Sequence, residues 1–201
     1  MASKDDILRA IRAHPVPPVD LPDLDQDWIT YSDRRAQFAE MLKSVGGQCV
    51  FVESLDQINA ALEQPLQTAQ GKPVISLVPG IKGGNLDLNT ISDAHDLESV
   101  EYAILPGQFG VAENAAIWVT DEGLKHRVLY FIVQHLVLVI SSGEILDNMH
   151  QAYERLAFPG AGFGAFISGP SKTADIEQSL VIGAHGPRSL TVFCVVPPES
   201  Q

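Results

Sequence analysis

Two cysteines, Cys49 and Cys194, are all the thiol chemistry that 201 residues carry. No Cys-x-x-Cys occurs, so this chain alone builds neither a cysteine-ligated iron–sulfur cluster nor a structural zinc site. The two lie far apart in the apolar runs QCVFV and VFCVV. They read as buried free thiols without a disulfide framework. Cations are also scarce, with 13 Lys and Arg against 25 Asp and Glu and a net charge of −12. Nucleic-acid backbones are held by clustered cations, so generic nucleic-acid binding is excluded. One small anion in a locally favourable pocket stays open. Long apolar runs are missing too. The longest, Val128 to Ile140, is interrupted by Gln134 and His135 and falls short of the ~20 residues of a bilayer span. The opening MASKDDILRAIRAH has no apolar core of the signal-peptide kind. A soluble, cytoplasmic protein is expected.

Hydrophobic residues at 45% and charged residues at 19% suffice for a folded core and exclude a disordered chain. Residues 1–27 read as an N-terminal helix and a Pro/Asp-rich arm. Ser3 and Asp6 cap the helix, Ile7, Leu8 and Ile11 share one face, and His14-Pro15 ends it. The arm is either a plain connection or an element that packs on a partner. Residues 28–201 read as one α/β domain. Helices are predicted over Ser32–Val45, from Ser54 (capping-box spacing to Gln57) through Leu62, over Asp147–Leu156 and over Ala174–Ile182. Strands are predicted at Cys49–Val52, Val74–Val78, Tyr102–Leu105, Val111–Val119, Leu136–Ile140 (after a short helix), Ala165–Ser168 and Leu190–Val196. Strands greasy on both faces, alternating with helices, imply a mostly parallel sheet covered on two sides.

The most informative stretch is Phe166-Ile167-Ser168-Gly169-Pro170-Ser171-Lys172-Thr173-Ala174-Asp175-Ile176-Glu177. A strand, a small-residue loop and a helix opening near Thr173 would aim free backbone amides at an anion outside the strands' carboxyl ends. Ser168, Gly169, Ser171, Lys172 and Thr173 are the candidate ligand contacts, with Asp175 as a cap or an acid at the helix start. The Gly183-Ala184-His185-Gly186-Pro187-Arg188 turn offers His185 as a proton carrier and Arg188 as a carboxylate clamp. Parallel topology puts this turn at the strands' amino ends. Glu113, beside Asn114 in an apolar segment, is the candidate general acid or base, or else a structurally paired carboxylate. Lys125, His126 and Arg127 offer it a partner, or form a solvated face. Gly160 to Ala165 fits the letters of a dinucleotide loop but precedes a strand. His150 and Glu154 lack a third metal ligand, so no metal site is expected, and His135 reads as a hydrogen-bonded core residue.

Taken together, Ile167 to Glu177, Gly183-Ala184-His185-Gly186-Pro187, Val111-Ala112-Glu113 and a Ser-Lys-Asp-Asp-Ile-Leu opening resemble the LUD domain of lactate-utilisation C-type proteins. The resemblance implies a three-layer, NagB/RpiA/CoA-transferase-like fold. It also implies a cluster-free subunit of an L-lactate to pyruvate oxidation system, whose partner subunits carry the iron–sulfur clusters. The ligand would be a small carboxylate or phosphate. The family usually has Thr-Gly where this chain has Asn114-Ala115, and it has prolines where this chain has Phe131-Ile132-Val133-Gln134. A stand-alone enzyme on a sugar phosphate or CoA ester, and a non-catalytic interaction module, stay open. So does a homo-oligomer.

Overall fold

The computed structural model describes residues 3–15, 17, 19–24, 26–156, 162–174 and 180–197. The elements in chain order are α1 (Lys4–Ala13), α2 (Arg34–Ser44), β1 (Gln48–Val52), α3 (Leu55–Thr68), β2 (Val74–Ser76), β3 (Tyr102–Pro106), β4 (Phe109–Val111), β5 (Ala116–Thr120), α4 (Leu129–Ile132), β6 (His135–Ser141), β7 (Ile145–Leu146), α5 (Met149–Arg155), β8 (Gly164–Ile167), β9 (Lys172–Ala174), β10 (Leu180–Ile182) and β11 (Ser189–Val195).

The central sheet is parallel throughout, in the order β1-β11-β6-β3-β2. Its period-2 alternation feeds two cores. Leu136, Leu138 and Ile140 face the same side as Leu105, Leu190 and Val192, where Phe38 and Leu42 of α2 pack. Val137 and Val139 face the other side with Ile104 and Phe193, under Ile58 and Leu62 of α3. Each fully buried aliphatic side chain there contributes about 1.5–3 kcal/mol. A mostly parallel sheet with helices on both faces is what the greasy strands predicted.

A second sheet, β7-β4-β5-β8, covers the α2 side. It divides the expected Val111–Val119 strand in two. β4 and β5 pair antiparallel around a turn at 112–115, where Ala115 takes φ +55°. Tyr130 of α4 donates its hydroxyl to Thr120 O at 3.0 Å, and burial pushes its phenol pKa up to about 12.

The N-terminal helix forms with its expected reciprocal cap between Ser3 and Asp6, yet none of its residues is buried. α3 begins after Ser54 without a side-chain cap and runs on to Thr68. Gln57 reaches back instead to the amide of Glu53, one residue earlier than a capping box requires. No helix among the described residues is long and apolar enough to cross a membrane.

Candidate functional site

Of the helix expected over Ala174–Ile182, the described residues at both ends are strand. Lys172–Ala174 and Leu180–Ile182 form an antiparallel ribbon, with Thr173 opposite Val181 and Lys172 opposite Ile182. Thr173, Val181 and Ile182 are β-branched and favour an extended pleat once a partner strand is present. Among the described residues, 172–174 thus offer strand amides and not the free amides of a helix start. Asp175 lies outside the described residues.

The stretch before the ribbon is held by close packing and backbone bonds. Ser168 Oγ donates to Asn114 O at 2.7 Å, bringing the 168–173 stretch against the 112–115 turn. Gly169 has φ +75°, and a Cβ there would lie 2.7 Å from Val45 O in the turn that precedes β1. The Ser171 amide donates to Pro187 O and the Gly183 amide donates to Ser171 O, both at 2.9 Å. Arg188 in turn donates its amide to Gln134 O at 2.8 Å, just ahead of β6. The 183–188 turn thus sits at the amino ends of the parallel strands, as expected. The 169–171 stretch is fastened beside it and does not lie at the carboxyl ends. Lys172, His185 and Arg188 are exposed there, and Thr173 is half-buried.

Glu113 is half-buried in the turn between β4 and β5. Its Oε2 accepts the amide of Met149 at 2.8 Å, at the first turn of α5. That is a capping contact. None of the expected cations pairs with it. Lys125 donates to Asn89 O and Ile91 O, His126 Nε2 meets Ile91 O at 3.1 Å, and Arg127 lies over the Phe163 ring at 5.5 Å. Asn114 Oδ1 accepts the Ala116 amide at 3.0 Å and closes the turn. Ala115 takes a left-handed backbone there, a conformation that glycine adopts without strain.

Two clefts adjoin at this end of the molecule. One, of about 750 Å³, is bordered by Glu98, Phe131, Gln134, Gly183, His185 and Gly186. The other, of about 410 Å³, is bordered by Asp121, Lys125, His126 and Arg127. Val128 lines both. The fold thus brings His185, His126 and Arg127 to neighbouring clefts and leaves Glu113 elsewhere, engaged with α5.

Several polar contacts escaped the sequence reading. His135 opens β6 instead of filling the core; its Nδ1 meets Ser189 Oγ at 2.7 Å and Tyr102 stacks on the ring at 4.7 Å. Glu101, ion-paired to Lys72 at 2.9 Å, faces the other ring nitrogen at 3.9 Å. A polar residue at each strand start was the available signal. His150 stacks on Trp28 with ring centroids 3.4 Å apart. Cys49 and Cys194 bring their sulfurs to 3.6 Å, and their hydrogen bond holds Cys49 down and Cys194 up in pKa. They are diagonal neighbours on β1 and β11. Strand spacing and rise then put their Cα atoms about 8 Å apart, beyond disulfide reach. Among the described residues no three His, Cys, Asp or Glu side chains gather as a metal ion requires.

Comparison with known proteins bears on residues 94–195, which match the LUD domain family. The chain is 33% identical over 96 residues to lactate utilization protein C of Bacillus pumilus (strain SAFR-032), spanning 45% of this chain and 40% of that relative. It is 31% identical over 83 residues to lactate utilization protein C 1 of Bacillus mycoides (strain KBAB4), spanning 38% and 36%. The crystal structure of a DUF162 family protein from Deinococcus radiodurans superposes with a TM-score of 0.60 at 18% identity, covering 82% of this chain and 96% of that one. That likeness establishes a shared fold.

Proposed function

The chain belongs to the LUD domain family, and from that premise we propose that it serves lactate utilisation as a cluster-free subunit of an L-lactate to pyruvate oxidation system. In this reading it works in the cytoplasm, binds a small carboxylate or phosphate, and leaves electron transfer to iron–sulfur partner proteins. The overlap of two segments carries the reading. The family match over residues 94–195 contains both amino-end clefts and the whole Ser168–Arg188 stretch. Arginine side chains favour an anion in those clefts: Arg127 borders one beside His126, and Arg188 packs against Gly183 in the wall of the other, which His185 also borders. Lys172 extends the set along β9, while Glu98 and Asp121 oppose it. Ser168, Gly169, Ser171 and Thr173 hold this arrangement together more than they contact a guest, and Asn114 anchors Ser168.

Calorimetric titration of L-lactate and pyruvate into the purified chain tests the site. Lys172→Ala, His185→Ala and Arg188→Ala should each weaken binding about tenfold, the loss of one charge-assisted contact. Affinity unchanged in all three removes these clefts from the mechanism.

A docking role for the arm is favoured separately by exposed apolar residues. Ile7, Ile11, Val19, Leu21 and Leu24 are between 53% and 92% exposed, a pattern that marks a surface awaiting a partner. Deleting residues 1–27 should abolish co-purification with the iron–sulfur partners. Retention of the complex rules that role out.

A further inference from the structure

The larger amino-end cleft, of about 750 Å³, is too roomy for a three-carbon acid alone. Its volume lies in the range of sites for drug-sized ligands, about 300–1,000 Å³. We propose that it takes a nucleoside 5′-phosphate, with the base stacked on Phe131 and the phosphate held by the free amides of the 184–186 turn and by Arg188. The proposal rests on the reading of these clefts as an anion site and names the larger group that carries the anion.

Phe131 borders the cleft and is 42% exposed. Its aromatic neighbours, Phe163 at 6.1 Å and Tyr130 at 6.3 Å, meet it at interplanar angles of 90° and 68°. No ring among the described residues stacks parallel on it. An exposed, unstacked phenyl in a cleft is a platform for a planar heteroaromatic ring, and every base has a face to offer it. The Gly183-Ala184-His185-Gly186 turn forms the neighbouring wall. Gly183 takes φ +73° and donates its amide to Ser171 O. The next three amides, of Ala184, His185 and Gly186, donate to no described residue. Successive unpaired N–H groups in a turn make an anion-binding concavity. Arg188 lays its stem on Gly183, and its guanidinium has no hydrogen bond or ion pair among the described residues. Turn and ring are neighbours, since a Cβ on Gly186 would stand 3.1 Å from Phe131 O.

Glu98 decides between a bare anion and a nucleotide. It lines the same cleft without a hydrogen bond or ion pair among the described residues, and there its charge repels a lone carboxylate. Ribose hydroxyls make an acceptor of that carboxylate, the role an acidic side chain plays in nucleotide sites.

The test is calorimetric titration of ADP, ribose 5-phosphate and adenosine into wild type, Phe131→Ala, Phe131→Trp and Arg188→Gln. ADP should bind at least tenfold tighter than either fragment. Phe131→Ala should weaken ADP about tenfold and leave ribose 5-phosphate unchanged, and Phe131→Trp should restore ADP. Arg188→Gln should weaken both phosphates and spare adenosine. Because Phe131 is exposed, its variants should melt within about 4 °C of wild type, which keeps lost binding apart from lost folding. No preference for ADP over ribose 5-phosphate, or equal ADP affinity in wild type and Phe131→Ala, overturns the proposal. Ribose 5-phosphate or L-lactate bound by a protein indifferent to ADP sinks it alone; failure of all three to bind sinks the anion site with it.

Discussion

Replacing Gly169 by alanine separates two roles for the segment it opens, a contact for a guest and a crossing of two chain segments. A side chain there meets two independent penalties. The backbone sits at φ +75°, and an added Cβ would stand 2.7 Å from Val45 O, 3.0 Å from Val45 Cγ2 and 3.2 Å from Val45 Cβ. The left-handed conformation opposes alanine by about 1–2 kcal/mol. The narrower unfolded ensemble of alanine returns about 0.4–1 kcal/mol, leaving a net loss near 1 kcal/mol. Contact with a backbone carbonyl that cannot rotate away adds about 2 kcal/mol, for a total of about 3 kcal/mol. Gly71 supplies the control, with φ +78° and nothing within 4 Å of the added atom. Only the first penalty applies to it. In a chain of this size 1 kcal/mol moves the midpoint by about 2–4 °C. Gly71→Ala should therefore melt about 2–4 °C below wild type and Gly169→Ala about 6–12 °C below. Both are read by circular dichroism and checked by urea midpoints at constant slope. Equal shifts for the two variants would refute the close crossing.

Glu113→Ala should lower the melting temperature by about 2–8 °C, since it removes the acceptor for the first turn of α5. Glu113→Gln keeps an acceptor oxygen and should lose at most half as much; a Glu113→Ala protein as stable as wild type argues against the capping contact. Burial, joined by Arg188 and Lys72 and opposed by Glu101, holds His135 below its ordinary pKa of 6.5. The unfolded chain then binds the extra proton more readily, so stability is intact above pH 6.5 and falls as pH drops toward the folded value. His135→Asn should flatten that part of a pH–stability curve. His95, raised by its exposed contact with Asp93, contributes with the opposite sign, so the comparison is with the parent protein and an unaltered slope rejects the assignment. Removing residues 1–27 should move the melting temperature by no more than about 1–2 °C, because α1 buries none of its residues. Trp28 must stay, since it stacks on His150; a large loss on truncation shows that the arm packs on the core.

The sequence alone settled much of what rests on local pattern, although the capping box suggested by Ser54 and Gln57 does not form. Leu136 to Ile140 is apolar without interruption and Leu190 to Val196 is broken only by Thr191, the pattern of a strand buried on both faces. The Ser3–Asp6 cap was legible because its two residues are three apart on one chain segment. Residues 167–177 and 183–187 carried the family resemblance, which the match over residues 94–195 bears out.

Tertiary structure decided whatever depends on partners distant in sequence. Ala174 and Leu180 are good helix formers beside the β-branched Thr173, Val181 and Ile182, and pairing between Lys172–Ala174 and Leu180–Ile182 made a ribbon at the ends of the expected helix. Glu113 found Met149, 36 positions away, and none of the cations nearer in sequence. Cys49 and Cys194 met because β1 and β11 are neighbours despite lying near opposite ends of the domain. Strand order and burial are properties of the collapsed chain, and a hydrogen bond between remote residues leaves no spacing in the sequence to read.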